Sequence, residues 1–507
     1  GFIPNMPEAI IAMLATASIG AIWSSSSPDF GIKGVLDRFS QIEPKVIFAA
    51  NGYFYNGKIF DSLEKLQEIL QSLPSVKKVV VVEYTEENQP ISHIENAVHY
   101  SSFLSTHPSK LTFEQLPFDH PLYIMYSSGT TGLPKSIVHS SGGTLIQHLK
   151  ELRLHCDLTR DDTIFYFTTC GWMMWNWLVS SLAVGATLVL YDGSPFYPNK
   201  NAMWDMVDKL EISIFGTSAK YIDACKEAKV FPKQDANLSS LKTILSTGSP
   251  LVEESFDYVY SKIKKDVLLA SISGGTDIIS CFALGNPMLP VIRGELQCRG
   301  LGMDIHALDH AQHSLINEKG ELACKTAFPS MPIYFWNDPD GVKYHNAYFD
   351  LFPHIWHHGD FIKITEDGGV KIFGRSDSTL NPGGIRIGTA EIYRVVETLD
   401  YVDDSLVIGQ DWEGDQRIVL FIKLRNNNES ITGDNISEIK SLIKTNCSPR
   451  HVPTIILPIN DIPYTINGKK VEVAVKKVID GEKVTNKDAL ANPDSLELYK
   501  NIPELSR

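Results

Sequence analysis

Short runs of β-branched and aromatic residues alternate with longer amphipathic stretches along the first part of the chain. The runs that predict strands are KVIFAA, KKVVVVE, LYIMY, TIFYF, ATLVLY, ISIF, LKTILS and DVLLASI. Between them, stretches such as IFDSLEKLQEILQSL and NAMWDMVDKL place apolar residues every three or four positions, which is typical of helices with one buried face. Strands that alternate with helices predict a mostly parallel sheet covered by helices.

The pattern changes twice further along. Over about residues 281–375, short strands and turns such as GELACKT and DGGVKIFGR predict a β-rich subdomain. Beyond the segment GRSDSTLNPGG, the stretches GTAEIYRVVETL, DSLVIGQ, QRIVLFIKL and NISEIKSLIKTN predict helix, strand, strand and helix, a unit the size of a small domain. The expected fold class is α/β. A large N-terminal domain over residues 1–376 is followed by a small, mobile C-terminal α+β domain over residues 377–507.

Composition narrows the function classes. The 507 residues carry a net charge of -14, which argues against nucleic acid as a partner because such binding needs a basic surface. Seven cysteines without a CxxC pair indicate reduced thiols, and we expect a cytosolic location. We expect small-molecule substrates; the oligomeric state is left open.

Two hydrophobic segments raise the question of membrane insertion or targeting. Residues 163–191 contain no charge, but threonines, glycines and Asn176 interrupt the run, which predicts a buried strand, helix and strand rather than a transmembrane segment. The opening GFIPNMPEAIIAML has no basic leader and predicts a turn into a buried helix with no strand before it. We therefore expect that the chain lacks the natural start of its first domain.

The segment SSGTTGLPK, which ends at Lys135, concentrates hydroxyls and glycines directly after a predicted strand. Glycines let backbone N–H groups approach a phosphate, and the lysine adds a positive charge. The segment is not a Walker A loop, because Pro134 stands where that motif needs glycine. An ordinary surface turn is the alternative reading of this segment taken alone.

Two other motifs are weaker. The DFG triplet from Asp29 to Gly31 resembles the magnesium motif of kinases, but the other kinase motifs are absent from the sequence. In HALDHAQH, the residues His306, His310 and His313 have metal-like spacing, yet the segment has the composition of a polar loop. We assign neither segment a function.

Six segments occur in the order found in the adenylate-forming enzymes, which include acyl-CoA synthetases, luciferases and peptide-synthetase adenylation domains. They are YIMYSSGTTGLPKSIVHS, STGSPL, SISGGTD, HHGDFIKI, IFGRSDSTLNPGGIRIGTAEIY and PYTINGKKVEVAV. The chain resembles that superfamily along essentially its full length, and several segments resemble the members that activate acetoacetate. This resemblance implies an acid:CoA ligase that uses ATP and Mg²⁺, forms an acyl-adenylate and pyrophosphate, and transfers the acyl group to coenzyme A.

The resemblance also implies roles for residues on the nucleotide side. The loop from Ser127 to Lys135 would grip the phosphates, and Asp277, where the wider superfamily usually has glutamate, would bind magnesium. Lys135 and Thr276 would be catalytic. The expected ATP-binding residues are Ser127, Ser128, Gly129, Thr130, Thr131, Gly132, Lys135, Gly248, Ser249, Pro250, Ser273, Gly274, Gly275, Thr276, Asp360, Arg375 and Arg386.

In the C-terminal part, Lys469 matches the mobile catalytic lysine of the superfamily, whose ammonium would bridge the attacking carboxylate and the α-phosphate. Asp377 matches the hinge. Gly383 and Gly384 would contact coenzyme A, together with Lys444 as a weaker candidate.

The acyl pocket is predicted from a size argument. Acetyl-CoA synthetases carry tryptophan where this chain has Gly274, so the missing indole would leave room for acetoacetate. Trp172 is expected to line the same pocket, or else to be an ordinary core residue. Another short acid such as butyrate, and a truncated nucleotide-binding form without turnover, are the alternatives.

Overall fold

The computed structural model describes residues 1–105, 110–127, 133–376, 380, 387, 389–412, 415–426, 430–446, 451–466, 468–484 and 487–506. Its α-helices are α1 (Pro7–Ser18), α2 (Ile32–Ile42), α3 (Leu63–Gln71), α4 (Tyr100–Phe103), α5 (Ser141–Lys150), α6 (Met173–Val179), α7 (Ala202–Lys209), α8 (Ala219–Glu227), α9 (Pro232–Asp235), α10 (Glu253–Tyr258), α11 (Val342–Tyr348), α12 (Thr389–Val396), α13 (Gly433–Asn446) and α14 (Glu472–Ile479). Two π-helical turns, Glu151–His155 and Val259–Ile263, extend α5 and α10, and 3₁₀ helices span Ser180–Val184, Lys487–Ala489, Pro493–Tyr499 and Pro503–Leu505.

The strands of the first half are β1 (Val46–Ala50), β2 (Gly52–Tyr55), β3 (Lys58–Asp61), β4 (Lys78–Val82), β5 (Ala97–His99), β6 (Pro121–Ser127), β7 (Lys135–Ser140), β8 (Thr163–Tyr166), β9 (Thr187–Val189), β10 (Ile214–Ser218), β11 (Thr243–Thr247) and β12 (Leu268–Ser271). The remaining strands are β13 (Ser273–Gly275), β14 (Ser280–Leu284), β15 (Cys298–Arg299), β16 (Ile305–Leu308), β17 (Ser314–Leu315), β18 (Lys319–Cys324), β19 (Tyr334–Phe335), β20 (Trp356–Ile364), β21 (Val370–Arg375), β22 (Val402–Trp412), β23 (Asp415–Leu424) and β24 (Ile455–Pro458).

A parallel five-stranded sheet in the order β12-β11-β10-β8-β9 forms the centre of the first half. Successive strand residues point to opposite faces and enter separate apolar clusters: Ile164 and Ile214 pack on one face, Phe165 and Phe215 on the other. Burial on both faces explains why these strands appear in the sequence as nearly continuous apolar runs. All eight predicted strand segments form strands, which confirms the predicted α/β class.

The uncharged run 163–191 folds as predicted, into strand β8, helix α6 and strand β9. Every residue of α6 is buried, including Trp175 and Trp177. No helix in the described ranges has the length and apolar character required to cross a membrane.

Strand β6 lies outside the parallel sheets, although its segment LYIMY is among the strands that the sequence pattern assigns to a mostly parallel sheet. It pairs in antiparallel fashion with β7, and β7 pairs with β19. The glycine-rich segment therefore connects two paired antiparallel strands, and its residues 128–132 lie outside the described part of the chain. The short distance between LYIMY and KSIVHS in the sequence is what permits this pairing.

The β-rich part contains an antiparallel sheet in the order β17-β16-β18-β20-β21, as the short strands and turns predict. Further on, α12, β22, β23 and α13 follow one another in the predicted order, and β24 completes a three-stranded sheet.

Among the described residues no group of three or more potential ligands is arranged to hold a metal ion. In HALDHAQH, His306 pairs with Asp304 and His313 with Asp309 instead.

Candidate active site

The β6–β7 hairpin holds both ends of the glycine-rich loop. Ser127 and Lys135 are paired across the hairpin in register. The Ser127 hydroxyl is buried and has no hydrogen-bond partner among the described residues. A buried hydroxyl without a partner is costly unless another group satisfies it. It is therefore a suitable donor for a ligand bound at the loop.

Lys135 and Asp277 form an ion pair at the base of this loop, with 3.1 Å between Nζ and Oδ1. The Tyr348 hydroxyl donates a hydrogen bond of 2.5 Å to the same oxygen, and the Lys135 ammonium lies 5.2 Å from the centre of the Tyr348 ring. Burial alone would raise the pKa of Asp277, but Lys135, His358 and the Tyr348 hydroxyl hold that pKa well below its usual range. The carboxylate is therefore ionised at neutral pH.

Asp277 lies in a tight turn between β13 and β14. His139 of β7 is buried beneath this turn, with Nε2 2.9 Å from the Thr276 carbonyl oxygen. Because a carbonyl can only accept, Nε2 carries the proton and donates it. Sequence reasoning placed Thr276 and Asp277 in the site but missed His139, which fixes their backbone.

The expected adenine-side segment also reaches this edge. Gly248 follows β11 directly, and its φ of 93° is a backbone conformation that favours glycine. The Thr247 hydroxyl donates a 2.9 Å hydrogen bond to the Ile272 carbonyl. This contact places Gly248, Ser249 and Pro250 beside the start of β13, so the two motifs STGSPL and SISGGTD are neighbours at the carboxyl ends of parallel strands.

Asp360 lies on β20 opposite Arg375 of β21. His358, two residues earlier, places Nε2 3.7 Å from Asp360 Oδ2. A Cβ atom added to Gly275 would also lie 3.7 Å from His358 Nε2. His358 therefore connects the strand that carries Asp360 to the turn that carries Asp277, and the two carboxylates belong to one site.

Gly274 does not occupy the environment that the size argument assumed. A Cβ atom there would lie 2.0 Å from the Ser280 carbonyl oxygen and 2.8 Å from Cys281 Cα. The missing side chain therefore lets β14 approach β13, and does not by itself leave an open pocket. Trp172, just before α6, is half-buried and meets the Tyr166 ring edge to face with centroids 6.1 Å apart.

Lys469 projects from a turn in the C-terminal part. The turn is closed by Thr465 N–H donating to the Lys469 carbonyl at 2.8 Å, and Gly468 takes a positive φ of 72°. The Lys469 side chain is exposed. Ile466 of this turn packs on the apolar cluster around Phe30 that Tyr126 of β6 also contacts. The turn that carries Lys469 and the β6–β7 hairpin thus pack against the same apolar cluster.

The remaining predicted residues are less defined. Lys444 is exposed on α13. The Arg375 side chain lies outside what the structure describes, and the same holds for Ser128, Gly129, Thr130, Thr131, Gly132, Asp377, Gly383, Gly384 and Arg386.

Comparisons with known proteins agree with this geometry. The model of the AMP-binding enzyme family matches residues 2–333. Acetoacetyl-CoA synthetase of Danio rerio is 55% identical over 514 residues, covering 100% of this chain and 76% of the relative. The chain belongs to the acetoacetyl-CoA synthetase family. The acetoacetyl-coenzyme A synthetase of Rhizobium meliloti (strain 1021) is also 55% identical, over 99% of this chain and 77% of its own length.

A solved structure supports the same assignment. The acetoacetyl-CoA synthetase from Streptomyces lividans superposes with a TM-score of 0.93 at 44% sequence identity, covering 99% of this chain and 76% of that one. The chain thus spans about three quarters of the length of these relatives.

Proposed function

We propose that this chain joins acetoacetate to coenzyme A in two steps. The acetoacetate carboxylate attacks the α-phosphate of ATP, which forms acetoacetyl-adenylate and releases pyrophosphate. The thiol of coenzyme A then attacks the acyl carbon and releases AMP. Family membership makes the chain an AMP-forming acid:CoA ligase. The observation that carries the assignment of its site is the meeting of Lys135, Asp277 and the Thr276 turn at the base of the glycine-rich loop.

The phosphates lie at the hairpin tip in this proposal. The Ser127 hydroxyl and the Lys135 ammonium face the loop from its two ends, and the loop residues 128–132 add backbone N–H donors. These groups neutralise the charge that develops as pyrophosphate departs. Thr276, held by His139, presents its side chain beside the α-phosphate.

Asp277 fits one ligand position of Mg²⁺. Lys135 and Tyr348 both bind Oδ1, and Oδ2 makes no hydrogen bond to any described residue. An ionised carboxylate with one available oxygen is the kind of ligand that magnesium takes together with phosphate oxygens. When bound, the ion would screen the phosphate charges.

The rest of the nucleotide extends along the edge of the sheets. Gly248, Ser249 and Pro250 flank the adenine, with Ser273 and Gly275 on the opposite side. The Asp360 carboxylate accepts from the ribose hydroxyls, and Arg375 and Arg386 are proposed cations near the ribose and phosphate. The acid lies between Trp172 and the β13–β14 turn.

Lys469 supplies the positive charge between the acetoacetate carboxylate and the α-phosphate. Its exposure suits a group that acts only when the C-terminal part closes over ATP. For the second step we propose that residues 377–507 rotate about Asp377 against residues 1–376, which brings Gly383 and Gly384 to the pantetheine and Lys444 toward a phosphate of coenzyme A. We propose a cytosolic location; the six described cysteines are free thiols.

The test is acid-dependent exchange of labelled pyrophosphate into ATP in the absence of coenzyme A. It is run with acetoacetate, butyrate, acetate and no acid. We expect exchange that is fastest with acetoacetate. Fast exchange with butyrate and none with acetoacetate would move the assignment to another short acid. No exchange with any acid, despite ATP binding, would overturn the proposed activity for this chain.

A further inference from the structure

Helix α5 and the π-helical turn that extends it carry a row of buried polar side chains. His148, Glu151 and His155 are spaced at i, i+3 and i+7, so they lie on one face of the continuous helix. Glu151 and the two histidines are fully buried. Burial of a charged group or an imidazole is costly unless specific partners bind it, so the partners of these side chains show which elements the row holds together.

The Glu151 carboxylate joins two elements of the candidate acyl site. Oε1 accepts from the Ser280 hydroxyl at 2.5 Å and from the Cys281 N–H at 3.1 Å, while Oε2 accepts from Trp177 Nε1 at 2.9 Å. Lys150 Nζ lies 3.3 Å from Oε1. Burial would raise the pKa of Glu151, but Lys150, His148 and the hydrogen bonds lower it, so the group remains ionised.

His148 makes a second connection between the same elements. Nε2 lies 2.6 Å from the Ile279 carbonyl oxygen, and Nδ1 lies 2.8 Å from the Ser180 hydroxyl. The carbonyl requires Nε2–H, so Nδ1 of the neutral ring accepts from Ser180. Burial lowers the pKa of His148, which keeps the ring neutral at physiological pH.

The residues at the two ends of these bridges lie on either side of the proposed site of the substrate acid. Trp177 and Ser180 belong to α6 and the turn after it, the element that begins beside Trp172. Ile279 precedes β14, and Ser280 and Cys281 are its first residues; the backbone of this strand packs closely over Gly274. The separation between the Trp172 side and the Gly274 side is therefore fixed by two buried polar bridges.

We propose that Glu151 and His148 are positioning residues that set the width of the acyl pocket and hence the selectivity among short acids. The inference rests on the proposed function. Neither side chain touches the acid; each acts by holding α6 and β14 at a fixed distance. One methylene of substrate is worth roughly 10–200-fold in selectivity, so a small change in this distance alters which acid fits.

Glu151→Gln and His148→Gln test the proposal, because they keep the approximate volume but weaken one bridge each. The glutamine amide N–H₂ in Glu151→Gln would face a donor, which leaves a buried polar group unpaired. His155→Gln is the matched control. It lies on the same helix face and is equally buried, but His155 binds the Gly285 carbonyl and the Leu301 N–H, away from α6.

The readouts are kcat/KM for acetoacetate, butyrate and acetate in pyrophosphate exchange, KM for ATP, and the thermal midpoint. We expect the acetoacetate-to-acetate ratio, which compares acids that differ by two carbons, to change by roughly 10-fold in the two bridge variants while KM for ATP stays within about twofold. His155→Gln should leave the ratio unchanged even where its thermal midpoint falls equally. An equal loss for all acids in all three variants would overturn the proposal.

Two milder variants protect the test against failure to fold. Ser280→Ala removes one donor to Glu151, and Ser180→Ala removes the partner of His148 Nδ1. Each should shift the acid ratio in the same direction as its bridge variant, and an unchanged ratio in both would count against the proposal. Absence of exchange in the wild-type chain would instead be a failure of the proposed function.

Discussion

The ammonium of Lys220, at the start of α8, lies 3.2 Å from the centroid of the Tyr464 ring. Tyr464 begins the turn that presents Lys469 and is bridged to Lys470 on the returning side. The Tyr464 hydroxyl donates a hydrogen bond of 2.6 Å to the Asp404 carboxylate, which also forms an ion pair of 2.9 Å with Lys470. Lys220 therefore connects helix α8 to the buried charged residues at the base of the turn that carries Lys469.

Replacing Lys220 with methionine should slow adenylation selectively. A desolvated cation over an aromatic ring contributes about 2 kcal/mol, so losing it should reduce the population in which the Lys469 turn is in place by roughly 10-fold or more. We expect pyrophosphate exchange to fall by about that factor. Thioester formation from preformed acetoacetyl-adenylate and coenzyme A should stay near wild type, because the rotation of residues 377–507 proposed for that step would separate Lys220 from Tyr464.

Lys226→Met is the control for this prediction. Lys226 lies on the same helix and makes a long, half-exposed ion pair of 3.8 Å with Asp223. Ion pairs that are this accessible to solvent contribute little to stability. Equal losses in both half-reactions for Lys220→Met, or the same loss in Lys226→Met, would show that the contact does not position the lysine turn.

Removing the Lys469 ammonium should abolish most of the first step. Without it, the acetoacetate carboxylate meets the α-phosphate with no bridging cation, and we expect Lys469→Ala to reduce pyrophosphate exchange by about 100-fold to 1,000-fold. ATP binding should change little. Lys476→Ala, which removes another half-exposed lysine of the C-terminal part paired with Asp411, should keep normal exchange. Retained exchange in Lys469→Ala would remove this lysine from the mechanism.

Asp277→Asn tests the magnesium assignment. The change keeps the shape but removes the charge that pairs with Lys135 and the oxygen offered to the ion. We expect exchange to fall by at least about 100-fold and the Mg²⁺ concentration for half-maximal rate to rise. Tyr348→Phe, which removes the 2.5 Å hydrogen bond to the same carboxylate but keeps its charge, should leave the Mg²⁺ dependence close to normal. An unaltered Mg²⁺ titration in Asp277→Asn would exclude Asp277 as a ligand.

The two adjacent glycines of β13 should respond differently to alanine. At Gly274 the new Cβ would overlap the Ser280 carbonyl, whereas at Gly275 the nearest atom would be His358 Nε2 at an ordinary 3.7 Å. We expect Gly274→Ala to lose about 2 kcal/mol or more of unfolding free energy and Gly275→Ala to lose much less. Urea unfolding midpoints measure the difference. Similar midpoints for both variants would mean that β14 moves away from the new Cβ at position 274 at little cost in free energy.

The sequence predicted the elements of the fold because their signals are local. Strands buried on both faces, such as β10 and β11, form continuous apolar runs, and α7 shows regular helical spacing. The pairing of β6 with β7 was missed because antiparallel pairing depends on partners rather than on the strand itself. The site motifs were found through resemblance, but the close approach of Ser280 to Gly274 across the sheet is not visible in a local pattern.

The buried polar side chains beneath the site show the same limit. The spacing of His148, Glu151 and His155 was visible in the sequence, and polar residues at i, i+3 and i+7 on a helix with apolar neighbours are a usable signal of a buried network. Some of their partners, Trp177 and Ser180, lie 26 and 32 positions away, and the others, within residues 279–301, lie more than a hundred positions away. Only the fold identifies them.

Acid sensitivity of the fold is expected from His139. Burial lowers the pKa of His139 from 6.5 to about 4, an effect that the hydrogen bond to Thr276 and the charge of Asp277 only partly offset. Between these values the unfolded chain binds a proton that the folded chain does not, so stability falls as pH falls from about 6.5 toward 4. The full loss from this group is about 3 kcal/mol. His148 and His155, whose pKa values burial also lowers, act in the same direction.

His139→Gln isolates this contribution, because glutamine can still donate to the Thr276 carbonyl but does not titrate. The urea midpoints measured near neutral pH and at about pH 5 should differ less in the variant than in wild type. The variant is nevertheless expected to be less stable than wild type near neutral pH. Carboxylates that titrate in the same pH range contribute equally in both chains. Their contribution therefore cancels when the pH dependence of the variant is subtracted from that of wild type. An equal pH dependence in both chains would mean that His139 takes up its proton in the folded state as readily as in the unfolded one.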